Sequence, residues 1–253
     1  MRFEDRKVLL TGGSGGMGAL IAERLAGEGA RVVVLDRNAP APGVRHIAAD
    51  LSTPEGIEAA AGAAAGDDWD ILFNLAGIQH FGPVELQSPS HLVASYMVNL
   101  VAPARLAQAV IPSMKRRRRG QIVNIGSIFG SINFAHFATY SSAKAGLRGF
   151  SQALRRELAP WKIAVTYIAP RAVKTPLNSD QVLRFAEITR MNMDEPADIA
   201  RRIVEAVRAD RRDVYFGFPE SLFVRVNAIA PAIVDGALAS NDRKAAALFH
   251  PAF

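Results

Sequence analysis

Residues 7–28 place a short apolar run, a glycine-rich turn and an amphipathic helix in immediate succession, an order that few folds accept. The run ends at Thr11, and the turn carries Gly12, Gly13, Gly15, Gly16 and Gly18 around Ser14 and Met17. It reads either as G-x-G-x-x-G over Gly13, Gly15 and Gly18, or as T-G-x-x-x-G-x-G over Thr11, Gly12, Gly16 and Gly18. Glycines let the backbone turn tightly and approach a pyrophosphate, whose charge meets the helix N-terminus. A second apolar run, 31–36, ends in Asp36, eighteen residues after Gly18, where a ribose-binding carboxylate belongs. Strand, turn, helix and acid together predict a dinucleotide-binding unit.

The rest of the chain keeps the alternation. Residues 44–49, 69–74, 121–125, 163–168 and 214–216 read as strands, and 54–65, 89–115, 140–158 and 195–208 as the helices between them. Near-continuous β-branched runs between helices predict an α/β fold, a Rossmann-like doubly wound parallel sheet of about seven strands buried on both faces. Ligands of such sheets sit at the strand C-terminal ends. A length of 253 residues, with 49% hydrophobic and 21% charged residues, suits one domain over residues 1–253 with a substantial core. No repeat or linker divides it.

Composition excludes several chemistries. There is no cysteine, hence no disulfide, thiol nucleophile or thiolate metal site. The five histidines fall at no metal-ligand spacing, so no metal is expected. Residues 1–7 are charged and lead straight into the first strand without a signal-type apolar region, and no apolar run approaches a membrane span. Cytoplasmic location is the expectation. A net charge of +6 rests partly on one run, residues 115–119, at the end of a long helix, where cations complement the dipole. No aromatic residues interleave it, so nucleic acid is not an expected partner, and the run reads as a solvated surface.

Tyr140 and Lys144 stand one helical turn apart on a common face. Phenol titrates near ~10, and a fixed ammonium beside it can lower that value toward neutrality. The pair thus fits acid–base chemistry. By itself it fits equally an amphipathic helix with one ring packed and one lysine in water.

The order and spacing of these pieces resemble the short-chain dehydrogenase/reductase family over roughly residues 5–217. The matching positions are residues 11–18, Asp50 and Leu51, Asn74, Ala76 and Gly77, Asn99, Ser127, Tyr140 and Lys144, and residues 170–175. Ser127 precedes Tyr140 by thirteen residues, as in that family. The resemblance implies hydride transfer between a nicotinamide cofactor and a secondary alcohol or ketone. Tyr140 would be the acid–base group, Lys144 would depress its pKa and bind the nicotinamide ribose, Ser127 would hold the substrate oxygen, and Asn99 would hold a relay water. Thr11, Gly12, Ser14, Gly16, Met17 and Gly18 would bind the cofactor, with Asp36, Arg37, Asp50, Leu51, Asn74, Ala76 and Gly77 farther along it. Pro170, Val173 and Thr175 would close its nicotinamide end. Leu75 replaces a family asparagine, removing one polar contact.

Asp36 favours NAD over NADP by repelling the extra phosphate, whereas Arg37 could welcome it. NAD is the expectation. By analogy of position, Gln79, His80, Phe81, Phe129, Phe134, His136 and Phe137 line a fairly apolar, even lipid-like, substrate pocket, beneath a lid over residues 175–196. Arg171 stands where the family has glycine, and meets either an anionic group or solvent. Residues 218–253 depart from the family's ending and predict a helical extension starting near Pro219 and Ser221 and broken at Pro231. The extension covers core or a partner subunit, with peripheral membrane contact as the alternative. A homodimer through the two long helices is expected more than a homotetramer. A catalytically idle NAD-binding sensor or scaffold is the rival reading, but it would not need the Ser–Tyr–Lys set.

Overall fold

The computed structural model describes residues 2–249; the last four residues of the expected extension, 250–253, lie outside the described residues. Strands β1 (Lys7–Thr11), β2 (Arg31–Asp36), β3 (Arg45–Ala48), β4 (Ile71–Asn74), β5 (Gly120–Ile125), β6 (Ile163–Ala169) and β7 (Asp213–Tyr215) form one sheet in the order 3-2-1-4-5-6-7. Every pairing is parallel, with Lys7 opposite Arg31 and Val8 opposite Ile71 at the centre. The reversal of direction between β1 and β4 opens a crevice at the strand C-termini.

Side chains of β1 alternate between two cores, as the two-residue strand period requires. Val8 and Leu10 join one cluster, packed under α1 (Gly16–Gly27) and α7 (Pro196–Arg208). Leu9 joins the other, under α2 (Pro54–Ala65), α4 (Ala102–Arg117) and α5 (Ala138–Leu158). Each fully buried leucine or isoleucine contributes about 1.5–3 kcal/mol. The helices start where side-chain oxygens replace missing partners: Thr53 Oγ1 accepts from Gly56 N at 3.1 Å, and Ser88 Oγ from His91 N at 3.2 Å. Pro54 and Pro89 follow these caps, where no N–H is needed.

The single long helix predicted over 89–115 is three pieces. α3 (Pro89–Tyr96) passes through a π-helical turn, Met97–Val101, into α4. Asn99 lies in that turn, its Nδ2 donating to the carbonyls of Ser95 and Ile78, both at 2.8 Å. Periodicity cannot register one inserted residue.

The basic run is more than a solvated surface. Arg117 and Arg119, joined by Arg6, converge on the buried carboxylate of Asp70 at the N-terminal edge of the sheet. Burial raises the Asp70 pKa, and the Lys7 amide and the three arginines more than offset it, leaving it below the ordinary value. Lys115 and Arg118 flank the Trp161 ring. Past β7, α8 (Glu220–Ile229) and α9 (Pro231–Ala246) make a hairpin bent at Pro231. It buries Val224, Val234 and Ala245 but leaves Phe218, Leu222, Ile229 and Ile233 exposed. Among the described residues no helix is long and apolar enough to cross a membrane.

Candidate active site

A cleft of about 750 Å³ runs along the C-terminal edge of the sheet. At one end the glycine loop is tied to the tip of β2. The Asp36 carboxylate accepts from Ser14 N at 3.1 Å and from Asn38 N at 3.0 Å, and Ser14 Oγ donates to Asn38 O at 2.6 Å. Gly12, at φ 71°, needs to be glycine, because a Cβ there would stand 2.8 Å from Ala76 Cα. Gly12, Ser14, Gly16, Met17 and Gly18 all line the cleft. Asp36 and Arg37 follow along it, then Asp50 and Leu51, then Ala76 and Gly77. Hydrogen bonds from the Ser52 side chain and amide hold the Asp50 carboxyl below its ordinary pKa.

Ser127, Tyr140 and Lys144 meet at the other end, 9%, 7% and 4% exposed. Ser127 follows β5, and its Oγ accepts from Phe129 N at 3.1 Å. Tyr140 and Lys144 project from one face of α5, with Nζ 5.8 Å from the ring centroid. Nζ donates to the Ile125 carbonyl at 3.0 Å. Burial pushes the Tyr140 phenol up to about 12, against the opposing Ser127 hydrogen bond, and pulls the Lys144 ammonium down to about 8. The expectation that Lys144 depresses Tyr140 is not met here: burial raises the phenol, and the opposing contribution comes from Ser127. Lys144 remains largely protonated at neutral pH.

The cleft fits a dinucleotide at a specific place. A Cβ on Gly77 would stand 3.0 Å from Asn99 Oδ1 and 3.6 Å from Lys144 Nζ, so a residue without a side chain keeps that hollow open. Asn99 Oδ1 is buried and has no hydrogen-bond partner among the described residues. A buried acceptor beside an ammonium is the feature a ribose hydroxyl or a relay water would satisfy.

Residues 6–184 match the sequence pattern of the short chain dehydrogenases. The chain belongs to the short-chain dehydrogenase/reductase family. It is 31% identical to the 3-oxoacyl-(acyl-carrier-protein) reductase of Vibrio cholerae, across 80% of this chain and 90% of that one. It is also 31% identical to dehydrogenase/reductase SDR family member 7B of Bos taurus, across 94% of this chain and 81% of that protein. A short chain dehydrogenase from Burkholderia cenocepacia, solved in complex with NADP, shares the fold with a TM-score of 0.81 at 24% identity, over 94% and 99% of the two chains. The 3-ketoacyl-(acyl-carrier-protein) reductase of Brucella melitensis, complexed with NADH, aligns with a TM-score of 0.73 at 29% identity, over 85% and 96%. The protein is accordingly an NAD(P)-dependent oxidoreductase acting on a small-molecule substrate.

Several positions read from the family pattern sit behind the cleft rather than on it. Thr11 is buried, and its Oγ1 accepts from the amides of Leu75 and Ala76 at 3.0 and 3.1 Å, setting the turn after β4. Asn74 is buried too, donating through Nδ2 to Asn124 Oδ1 at 2.8 Å. Both shape the cofactor wall without lining it. Leu75 packs against the core, so no polar contact replaces the family asparagine.

On the substrate side Phe129 reaches the cleft, but His136 and Phe137 do not line it. Phe137 stacks on Phe81 with centroids 4.7 Å apart, and His136 lies 5.2 Å from the Phe249 ring. These rings form their own cluster with Val182 and Phe185 of α6 (Asp180–Thr189), which anchors the lid. Gln79 lines the cleft as expected, together with His91, Ala94, Leu177 and Met191. Gln79 ties the lid down, donating to Leu177 O at 2.9 Å.

Pro170, Arg171, Val173 and Thr175 do line the cleft. The Arg171 guanidinium, however, meets Asp194 with two bonds of 2.7 and 3.0 Å and Glu220 at 3.2 Å. Two carboxylates already neutralise it, which removes the expected role of catching an anion. It joins the base of the lid to α8 instead. Sequence reading also missed Tyr167, a buried β6 residue whose hydroxyl donates to Ser127 O at 3.4 Å.

Proposed function

We propose that this enzyme reduces a ketone with a mostly apolar body to a secondary alcohol, with Tyr140 as the proton donor and NAD the preferred cofactor. The observation that carries the reading is the burial of Ser127, Tyr140 and Lys144 together at the end of the cleft, with Lys144 Nζ 5.8 Å from the Tyr140 ring centroid. The nicotinamide, when bound, supplies the hydride to the carbonyl carbon. Tyr140 then gives its proton to the developing alkoxide, and Ser127 holds the same oxygen. A phenol pushed up to about 12 keeps its proton throughout the physiological range, which suits an acid in the reducing direction. Lys144, charged below about 8, offsets the phenolate left behind. Asn99 Oδ1 would fix a water that returns the proton.

The preference for NAD rests on Asp36, whose carboxylate edges the cleft where an added phosphate would be repelled. Ala94, Leu177, Met191 and Phe129 supply the apolar lining. The test is a panel of ketones offered to the unmodified protein with NADH, followed by loss of nicotinamide absorbance. Turnover of some member is expected. Tight NADH binding with no oxidation across the panel would favour the idle sensor.

A further inference from the structure

We propose that His91 is a substrate-orienting hydrogen-bond donor, and that the ketone reduced here carries a second, uncharged acceptor oxygen beyond its reacting carbonyl. The proposal rests on the reductase reading above and deepens it. His91 sits on α3 and lines the cleft. Its tautomer follows from the groups behind it. Ser95 Oγ has one hydrogen, given to the His91 carbonyl at 2.9 Å, so toward Gln87 it accepts. The Gln87 amide nitrogen, 3.3 Å from Ser95 Oγ, must therefore be the donor there. Thr139 Oγ1 donates to Gln87 Oε1 at 3.0 Å, which agrees with that amide orientation. The second amide hydrogen points at His91 Nδ1, 2.9 Å away. Nδ1 must accept, so the neutral imidazole carries its proton on Nε2.

No protein partner meets Nε2 among the described residues. The supporting groups are dry: Gln87 and Ser95 are buried, which makes the arrangement stiff and any flip costly. It is also tied to the reacting centre. Thr139 immediately precedes Tyr140, and the Ser95 carbonyl accepts from Asn99 Nδ2 at 2.8 Å. The second oxygen is uncharged because the donor is neutral, Lys144 is committed to the phenol, and Arg171, which lines the same cleft, is held by Asp194 and Glu220. A carboxylate there would be desolvated without a counter-charge. A keto, ester or hydroxyl oxygen fits.

Ethyl 3-oxobutanoate and 2-heptanone match in chain length, and only the first carries oxygens beyond the ketone. With His91→Phe the KM for the ester should rise about tenfold, with kcat little changed and the KM for the plain ketone held within about twofold. His91→Gln, which restores an N–H donor, should recover most of the loss. Gln87→Leu should weaken the same preference while keeping His91, because the amide donor that fixes the proton on Nε2 is removed. Equal losses for both ketones in His91→Phe would overturn the proposal and leave the reductase reading standing. Failure of the unmodified protein to turn over either ketone would instead strike the reductase reading, and this inference with it.

Discussion

The two walls of the cleft are held by different forces. On the catalytic wall, β4, β5 and α5 present polar groups that are almost fully buried and locked by short hydrogen bonds, such as Lys144 Nζ to Ile125 O at 3.0 Å. On the opposite wall, the lid, with the α8–α9 hairpin packed behind it, is fastened by the Arg171 ion pairs and by a cluster of aromatic rings, while Phe218 and Ile229 remain in solvent. Burial gives the first wall its chemistry, because desolvation drives the two pKa values apart, raising the Tyr140 phenol and lowering the Lys144 ammonium. The second wall contributes shape, and its attachments are partly screened by water. Substitutions on the first should therefore act on turnover, and those on the second on stability and substrate affinity.

The largest such contrast is expected at Lys144. Lys144→Met should lower turnover by about a hundredfold or more through lost stabilisation of the phenolate, and should weaken cofactor binding as well. Its pH profile sharpens the point. Burial depresses the ammonium to about 8, so reduction by the unmodified protein should fall as pH rises through 8. A Lys144→Arg variant, which does not deprotonate there, should lack that fall if it folds. An unaltered profile would move the titration to another group.

Asp36→Ala should have an intermediate effect, weakening NADH about tenfold and relieving the discrimination against NADPH. Tighter NADPH than NADH binding by the unmodified protein would show that Arg37 dominates at this end. The smallest effect is expected on the lid wall. Arg171→Met leaves Asp194 and Glu220 facing each other without a cation and should cost about 1 kcal/mol of stability. KM should rise with little change in kcat. A fall in kcat with KM unchanged would place Arg171 in the chemistry and erase the contrast.

The two walls also differed in how much could be read beforehand. The order of strands and helices, the glycine loop, and Ser127, Tyr140 and Lys144 were legible because their spacing along the chain is itself the signal, and residues 54–65 form the helix predicted for them. The upward shift of Tyr140 was not, since burial depends on elements far apart in sequence. Phe81 and Phe137 carry the same apolar signal whether they face cleft or core, and here they face each other. Arg171 finds its partners 23 and 49 residues away, beyond any local pattern. His91 carries no signal of its own in the sequence, because its tautomer is set by Gln87, whose orientation is fixed in turn by Ser95 and Thr139.

The most direct test of the account is the Tyr140→Phe variant, assayed for ketone reduction and titrated with NADH in parallel. The ring stays packed while the hydroxyl is removed, so turnover should fall about a hundredfold or more with NADH affinity unchanged. Near-normal turnover by this variant would contradict the assignment of Tyr140 as the proton donor.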